Sequence, residues 1–297
     1  MSSLTLPHPA GLLRLSDLLL LLVAMVWGTS YGIAKGALNY YPVLGFLAIR
    51  FLLTFALLAP TLLNISAPAR RDALLAGLPL GGLMLGIFIC ETFGVAMTQA
   101  ANAAFLISLC IVMTPFVEWW LLHRRPATPA FVFAGVSLLG ALLLGGGLEA
   151  RFGLGDLLML GAALLRAITV CLTSKLTQGR QVAPLALTAV QAGIIGCGSL
   201  LLAWLSPQGL PAMPVDSGFW LATAYLVLGC TIFAFFAQNW ALRHSSPTRV
   251  SLLTGSEPVF GALFAVFWLG ETLSPIARLG GALIVLSALW AARHKAI

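Results

Sequence analysis

Long apolar runs alternate along the chain with short breaks that hold prolines, glycines and charged residues. An α-helix rises about 1.5 Å per residue, so a run of about 20 apolar residues matches the thickness of a bilayer core. Cutting the sequence at its breaks predicts ten membrane-spanning helices. Their approximate limits are 15–36, 43–63, 72–98, 103–122, 130–148, 154–177, 184–205, 218–241, 248–269 and 276–293.

Composition supports a membrane protein. The chain is 60% hydrophobic and 8% charged, with a mean hydropathy of +1.01, whereas soluble domains carry about 25% charged residues. The net charge of +7 is spread along the sequence and is not interleaved with aromatic residues, so no nucleic-acid partner is expected. The expected partners are the lipid bilayer and a small-molecule substrate, and the chain is expected to be a monomer or a homodimer.

The basic residues predict an orientation, because cytoplasmic loops carry an excess of lysine and arginine. The connections fall into a basic set and a basic-poor set that alternate along the chain. This pattern predicts a multi-pass protein of the inner or plasma membrane with both termini cytoplasmic. The basic set, with the termini, holds Arg14, Arg70, Arg71, Arg124, Arg125, Lys175, Arg180, Arg243, Arg249, Arg293 and Lys295. The other set holds Lys35, Arg151 and Arg278.

The sequence also repeats itself. Residues 101–115 align without a gap on residues 244–258, and this alignment places Pro115 on Pro258. The repeat predicts two units, at 1–150 and 151–297, with five spans each. Because five is odd, the second unit must lie upside down relative to the first. Inverted repeats of this kind occur in secondary transporters, which bind substrate near the bilayer midplane between the repeats.

Several short motifs carry a family resemblance. Residues 235–290 contain W-A-L-R at 240–243, E-P-V-F at 257–260 and L-G-E at 269–271, and the first unit contains W-G-T-S at 27–30. In these features the chain resembles the EamA-type family of the drug/metabolite transporter superfamily, including its amino-acid exporter branch. The resemblance implies an all-α integral membrane protein with ten transmembrane helices in two inverted five-helix repeats. Members of this family export amino acids, drugs and other metabolites.

Two classes of function remain open. The favoured one is a secondary transporter that exports small amphipathic metabolites by alternating access, with aromatic or neutral amino acids as the preferred substrates. Within this class, an exporter or exchanger of drugs or nucleotide sugars is the alternative. A membrane-embedded enzyme is less favoured, because the spans contain no paired acidic metal ligands and the four histidines lie outside the span centres. No cofactor, metal or catalytic residue is predicted, and no P-loop is present.

Four ionisable residues within the spans are candidate substrate or translocation residues. A charge at the centre of a membrane helix costs about 2.5–3.5 kcal/mol on insertion scales, so such residues are usually paired or functional. Counting residues from the span ends places Glu257 and Arg166 near the midplane. Arg50 and Glu91 lie at equal depth on neighbouring spans. Each pair is open to two interpretations, a structural salt bridge and a substrate or proton site.

Polar and aromatic residues supply further candidates. Trp27 and Tyr31 lie four residues apart, and so share one face of the first span. Gln238 and Asn239 form an amide pair next to aromatic residues in the eighth span, which suits a zwitterion with an apolar side chain. The alternatives are helix packing for the aromatic pair and hydrogen bonds between helices for the amide pair.

Prolines and glycines predict local helix geometry. Pro115 and Pro258 each remove a backbone donor from a span, and the repeat suggests a pair of equivalent kinks, which either help packing or bend during transport. Gly28, Gly32 and Gly36 form a stripe of small residues on the first span. Such stripes let neighbouring helices approach closely.

Overall fold

The computed structural model describes residues 15–98, 100–144, 153–207, 209–269 and 273–293, and no strand occurs among them. The termini, with Arg14 and Lys295, lie outside the described residues, as do Arg151 and Glu271. The helices are α1 (Leu15–Ala37), α2 (Val43–Leu63), α3 (Ala67–Met97), α4 (Ala100–Ser108), α5 (Cys110–Leu122), α6 (Thr128–Leu144), α7 (Leu154–Thr177), α8 (Pro184–Leu205), α9 (Ser217–Tyr225), a π-helix (Leu226–Phe233), α10 (Ala234–Leu242), α11 (Pro247–Thr254), α12 (Glu257–Leu269) and α13 (Pro275–Arg293).

Within the described ranges, eight helical segments are long and apolar enough to cross a membrane. The predicted ten spans are therefore confirmed only in part. The predicted span at 130–148 appears as α6, which has 17 residues, and residues 145–148 lie outside the described ranges. The predicted span at 248–269 is divided between two short helices, α11 and α12.

Local sequence explains where several helices begin. The side chain of Ser66 accepts a hydrogen bond from the Ala69 amide at the start of α3, and Asp216 does the same for α9. Ser246 caps α11, and Pro247 follows it in the first turn. A capping oxygen satisfies one of the amide groups that have no partner inside the helix, and a proline there has no amide to satisfy.

The break between α11 and α12 corrects the predicted kink at Pro258. Pro258 lies in the first turn of α12, where a helix needs no amide donor. The chain turns earlier, at Gly255 and Ser256, so Pro258 starts a new helix and does not bend a continuous one. In the first unit the interruption falls at Leu109, and Pro115 lies inside α5. The two interruptions are thus not equivalent under the sequence repeat.

A π-helix interrupts the predicted span at 218–241. Within it, the hydroxyl of Thr231 donates to the carbonyl of Leu226, five residues earlier, at 2.9 Å. The wider turn rotates the following residues relative to a regular α-helix. Such turns occur often at functional sites, and this one faces α1 and α2.

Helix packing brings the two sequence units together. The most extensive contacts join α2 to α8, α3 to α7, and α6 to α13. The approach of α1 to α12 depends on Gly28, because a Cβ there would lie 2.5 Å from the Glu257 carbonyl oxygen and 2.8 Å from the Gly261 nitrogen. Gly32 and Gly36 face open space, so only the first glycine of the predicted stripe serves a close approach.

An aromatic cluster lies in the apolar core between α2, α3 and α10. The ring centroids of Phe51 and Phe88 are 4.6 Å apart, and Phe235 lies 6.0 Å from Phe88 and 6.5 Å from Phe51. Offset and edge-on ring pairs at these distances stabilise a core beyond their buried area. The cluster also provides one wall of a central cavity.

Candidate functional site

A cavity of about 60 Å³ lies between α1, α2, α3, α7, α10 and α12. It is lined by seven of the eight residues that the sequence predicts for substrate binding or translocation: Trp27, Tyr31, Arg50, Glu91, Arg166, Gln238 and Glu257. The helices that contribute them come from both sequence units. Ionisable side chains and aromatic rings therefore face one another in the middle of the helix bundle.

The predicted pairing of Arg166 with Glu257 is confirmed. The Nη2 atom of Arg166 lies 3.3 Å from the Oε2 atom of Glu257, and the guanidinium lies 4.5 Å from the centroid of the Trp27 ring. Glu257 is the first residue of α12, where the positive end of the helix dipole stabilises a carboxylate. Its other oxygen, Oε1, is buried and accepts no hydrogen bond from the described residues.

The predicted bridge between Arg50 and Glu91 is wrong, because no salt bridge joins them. Instead, Nε and Nη2 of Arg50 donate to the hydroxyl of Thr231 at 3.1 and 3.0 Å. The guanidinium also lies 5.1 Å from the ring centroid of Phe51 and 5.3 Å from that of Phe88. The π-helix presents Thr231 to Arg50, and the aromatic faces attract the cation.

The cavity thus presents two ionisable side chains that have no ion-pair partner among the described residues, Arg50 and Glu91. Arg50 is 7% exposed. A charge in such a site is stabilised only when opposite charge or hydrogen bonds compensate for lost water. The Thr231 hydroxyl and two rings compensate Arg50 in part, because they carry no net charge.

Trp27 and Gln238 lie where they were predicted, and Asn239 does not. The Nε1 atom of Trp27 donates to the carbonyl of Cys230 in the π-helix at 3.0 Å, which fixes the ring beside Arg166. Asn239 donates to Thr188 and Gln191 on α8, each at 3.2 Å. Asn239 is not part of the cavity lining, because its amide turns to these partners on α8.

Two residues that contact Arg50 could not be predicted from the sequence. Thr231 shares its apolar span with two other hydroxyl residues, Thr223 and Tyr225, and Phe88 is one of 17 phenylalanines, so neither stands out. Their importance comes from their contacts with Arg50. The π-helix leaves no recognisable signal in the hydrophobic pattern, because nearly all of its residues are apolar and so show no periodicity that would distinguish it from an α-helix.

A second polar cluster, which we call the interlock, joins α1 and α5 to the start of α11. Arg249 donates to Oδ1 and Oδ2 of Asp17 at 3.2 and 2.9 Å, and to the carbonyl of Ala292 at 2.7 Å. Next to it, Oε2 of Glu118 accepts from the amide and the hydroxyl of Thr248 at 2.9 and 2.5 Å. The interlock comprises Asp17, Glu118, Thr248 and Arg249, all buried.

Arg249 is therefore buried, and is not the cytoplasmic surface charge that the distribution of basic residues predicts. It lies near one end of α11, and Glu257 begins the helix after α11. The eight residues of α11 span about 12 Å. The interlock thus lies roughly that far from the cavity, towards the helix ends that the sequence predicts to be cytoplasmic.

Comparison with known proteins gives a family match over nearly the whole chain. The model of the EamA-like transporter family matches residues 14–146 and again residues 153–293. The two matched segments follow one another with a short gap between them.

Individual relatives are similar over most of their length. An uncharacterized transporter of Archaeoglobus fulgidus is 28% identical over 282 residues, which cover 94% of this chain and 86% of that protein. A probable amino-acid metabolite efflux pump of Salmonella typhimurium is 27% identical over 291 residues, covering 93% of this chain and 94% of that protein. A crystal structure with 19% sequence identity shares the fold at a TM-score of 0.71, covering 94% of this chain and 98% of that one.

Proposed function

Because the chain belongs to the EamA-like transporter family, we propose that it exports amino acids with aromatic or neutral side chains by binding them in the central cavity. The family match, together with the apolar helices, identifies the protein as a multi-pass membrane transporter. The name of the Salmonella relative, an amino-acid metabolite efflux pump, supports the choice of substrate class.

The observation that carries the proposal is the presence of Arg50 and Glu91 in the lining of one cavity, without ion-pair partners among the described residues. An α-amino acid carries a carboxylate and an ammonium group, which match these two side chains in charge. A guanidinium can bind a carboxylate through two parallel hydrogen bonds. The apolar side chain of the substrate would contact Trp27, Phe88 and Phe235, which line the same space.

Transport requires the cavity to change size. Ligand pockets usually measure about 300–1,000 Å³, whereas this cavity measures about 60 Å³. A substrate therefore enters only when the lining helices separate. Because the lining comes from both sequence units, a rocking motion of one unit against the other would open the cavity to one side at a time.

We propose further that the chain forms ten spans in two inverted five-helix units, with α6 as the fifth span and α11 with α12 as the ninth. Helix packing supports this arrangement. The first spans of the two units are α1 and α7, and their third spans are α3 and the segment that ends in α10. A two-fold axis therefore relates the contact of α3 with α7 to the contact of α10 with α1, and both contacts occur. The pairs α2–α8 and α6–α13 each join equivalent spans of the two units, so the same axis maps each of these contacts onto itself.

We also propose that both termini are cytoplasmic in the inner or plasma membrane, as the basic residues predict. The interlock then closes the cytoplasmic side of the cavity in this structure, because it ties α11 to α1 and α5. Cysteines at Val215 and Gln178 test the orientation, since both positions are exposed. In intact cells a membrane-impermeant maleimide should label Val215→Cys and leave Gln178→Cys unlabelled; the opposite result reverses the orientation.

Binding measurements on purified protein test the substrate class. L-Phenylalanine should bind more tightly than L-phenylalaninamide, which lacks the carboxylate, and than 3-phenylpropionate, which lacks the ammonium group. Hydrogen bonds to charged groups contribute about 1.5–3 kcal/mol, so Arg50→Gln should weaken phenylalanine binding by about 10- to 100-fold. Glu91→Gln should weaken phenylalanine binding but leave 3-phenylpropionate binding unchanged.

Asp72→Asn is the matched control, because Asp72 lies on the same helix as Glu91 but outside the cavity. Equal binding of phenylalanine and its amide would contradict the amino-acid assignment. Binding of a nucleotide sugar or a cationic drug in place of amino acids would support the alternative substrate classes. If Glu91→Gln binds phenylalanine normally but no longer transports it, Glu91 is a proton site and not an ammonium site.

A further inference from the structure

A cleft of about 550 Å³ opens beyond the interlock, at the helix ends where α11 begins. Its walls are the turn between α5 and α6, the end of α7 and the turn between α10 and α11, so both sequence units contribute. This volume lies within the range of ligand pockets. The cleft is separate from the central cavity, and none of the transport residues described above lines it.

The cleft concentrates positive charge. Arg124, Arg125 and Arg243 line it, and none of them forms a salt bridge with a described carboxylate. The one carboxylate of the lining, Glu118, and the fourth arginine, Arg249, are both held within the interlock. Glu118 also interacts electrostatically with Arg124, and Arg243 donates to the carbonyl of Val182 at 2.7 Å. Three arginines against one carboxylate still leave the cleft with an excess of positive charge.

The remaining polar lining suits an oxyanion with several oxygens. Ser174, Ser245 and Ser246 add hydroxyl groups to the lining, although the Ser246 oxygen also accepts from the Arg249 amide at 3.2 Å. Guanidinium groups bind phosphate and carboxylate oxygens through forked pairs of hydrogen bonds, and hydroxyl donors complete the shell around a phosphate. A ligand with a single positive charge would meet repulsion here.

The position of the cleft relative to the bilayer indicates the source of the phosphate. Trp119 and Trp120 are 47% and 74% exposed on α5, just before the turn that lines the cleft. Surface tryptophans mark the level of the lipid headgroups. The guanidinium of Arg125 lies 5.1 Å from the ring centroid of Trp119, so one arginine of the cleft reaches the headgroup level.

We propose that this cleft binds the phosphate headgroup of an anionic phospholipid. Orientation alone requires basic residues in the loops but does not require three of them to converge on one cleft. Arg70 and Arg71 illustrate the ordinary case, because they belong to the same predicted side but do not line the cleft. Basic pockets between membrane helices are known to recognise such headgroups.

The test compares variants that remove equal charge. Arg124→Gln with Arg125→Gln removes two charges from the cleft, and Arg70→Gln with Arg71→Gln removes two charges from the same predicted side. The probe is short-chain phosphatidylglycerol, titrated against the full-length protein in neutral detergent, with phosphatidylcholine as the uncharged reference. Each basic residue near a headgroup strengthens binding about fivefold, so the cleft variant should bind the probe about 30-fold more weakly.

The control variant should bind phosphatidylglycerol as the unmodified protein does, and Arg243→Gln should show a loss of about fivefold. Equal loss in the cleft and control variants would mean diffuse surface attraction and would overturn the proposal. Glycerol 3-phosphate that competes as well as the lipid would also overturn it, by assigning the cleft to a soluble phosphate. Circular dichroism and gel filtration of each variant establish that the fold is kept.

Discussion

Asp17→Asn is the most informative single change to the interlock. The substitution keeps the size of the side chain but removes its charge. Arg249 donates to both carboxylate oxygens of Asp17, and both residues are buried. In the variant, the amide group of the asparagine presents a donor to a guanidinium that is itself only a donor. One of the two hydrogen bonds is lost, and the charge of Arg249 remains buried.

The magnitude follows from this geometry. Removing one partner of a buried ion pair costs about 3–5 kcal/mol, because the remaining charge is left uncompensated. Asp17 is 0% exposed and Arg249 is 3% exposed, so water cannot replace the lost partner. The bond from Arg249 to the Ala292 carbonyl remains, which places the expected loss in the lower part of that range, at about 3 kcal/mol.

A double-mutant cycle measures the pair. The free energy of unfolding is determined by denaturant titration in detergent for Asp17→Asn, Arg249→Gln and the double variant. The double variant should be more stable than the sum of the single losses predicts, because it leaves no buried charge. If Asp17→Asn unfolds like the unmodified protein, or if the two losses simply add, the pair does not hold α1 to α11 and the reasoning fails.

Three other substitutions test the geometry of the cavity. Gly28→Ala should lower the free energy of unfolding by about 1–3 kcal/mol through overpacking against α12, and with it the melting temperature. Gly32→Ala, whose new methyl group meets open space, should melt like the unmodified protein. Equal effects of the two substitutions would contradict the close approach. Thr231→Val removes the acceptor of two Arg50 hydrogen bonds and should lower the free energy of unfolding by about 1.5–3 kcal/mol. Thr231→Ser keeps the hydroxyl and should be tolerated. Similar melting temperatures of the two variants would refute this role of Thr231. Pro258→Ala should change stability by less than about 1 kcal/mol, because no helix bond is missing there; a large gain would indicate that the proline strains a continuous helix.

Hydrophobic pattern alone predicts most of the helices. The predicted spans at 154–177 and 184–205 coincide with α7 and α8, because long apolar runs between polar breaks have one favourable structure in lipid. Pattern cannot locate interruptions within such runs. The break before Glu257 has local signals, because Gly255 ends one helix and Pro258 lies in the first turn of the next. The break before Cys110 and the π-helix leave no such signal in the hydrophobic pattern.

The site could be predicted by residue type but not by partner. Rare ionisable residues in apolar spans are conspicuous, and for this reason Arg50, Glu91, Arg166 and Glu257 were identifiable. Their pairing depends on the rotation of each helix about its axis. Residue counting gives depth but not rotation, so it predicts Arg166 with Glu257 correctly and fails for Arg50, whose guanidinium turns to the π-helix.

The short helix α11 has a mechanical consequence. It is a rigid rod of two turns with a break after it, and it carries the Arg249 contact near its start and leads to Glu257 at its end. A shift of α11 along its own axis would therefore move the Arg249 contact and the start of α12 together. Ligand binding in the cavity and release of the interlock are then coupled through α11. Thermodynamic linkage requires such effects to be reciprocal. We therefore expect any change that weakens the interlock to alter the affinity of the cavity, and a bound ligand to alter the strength of the interlock by the same factor.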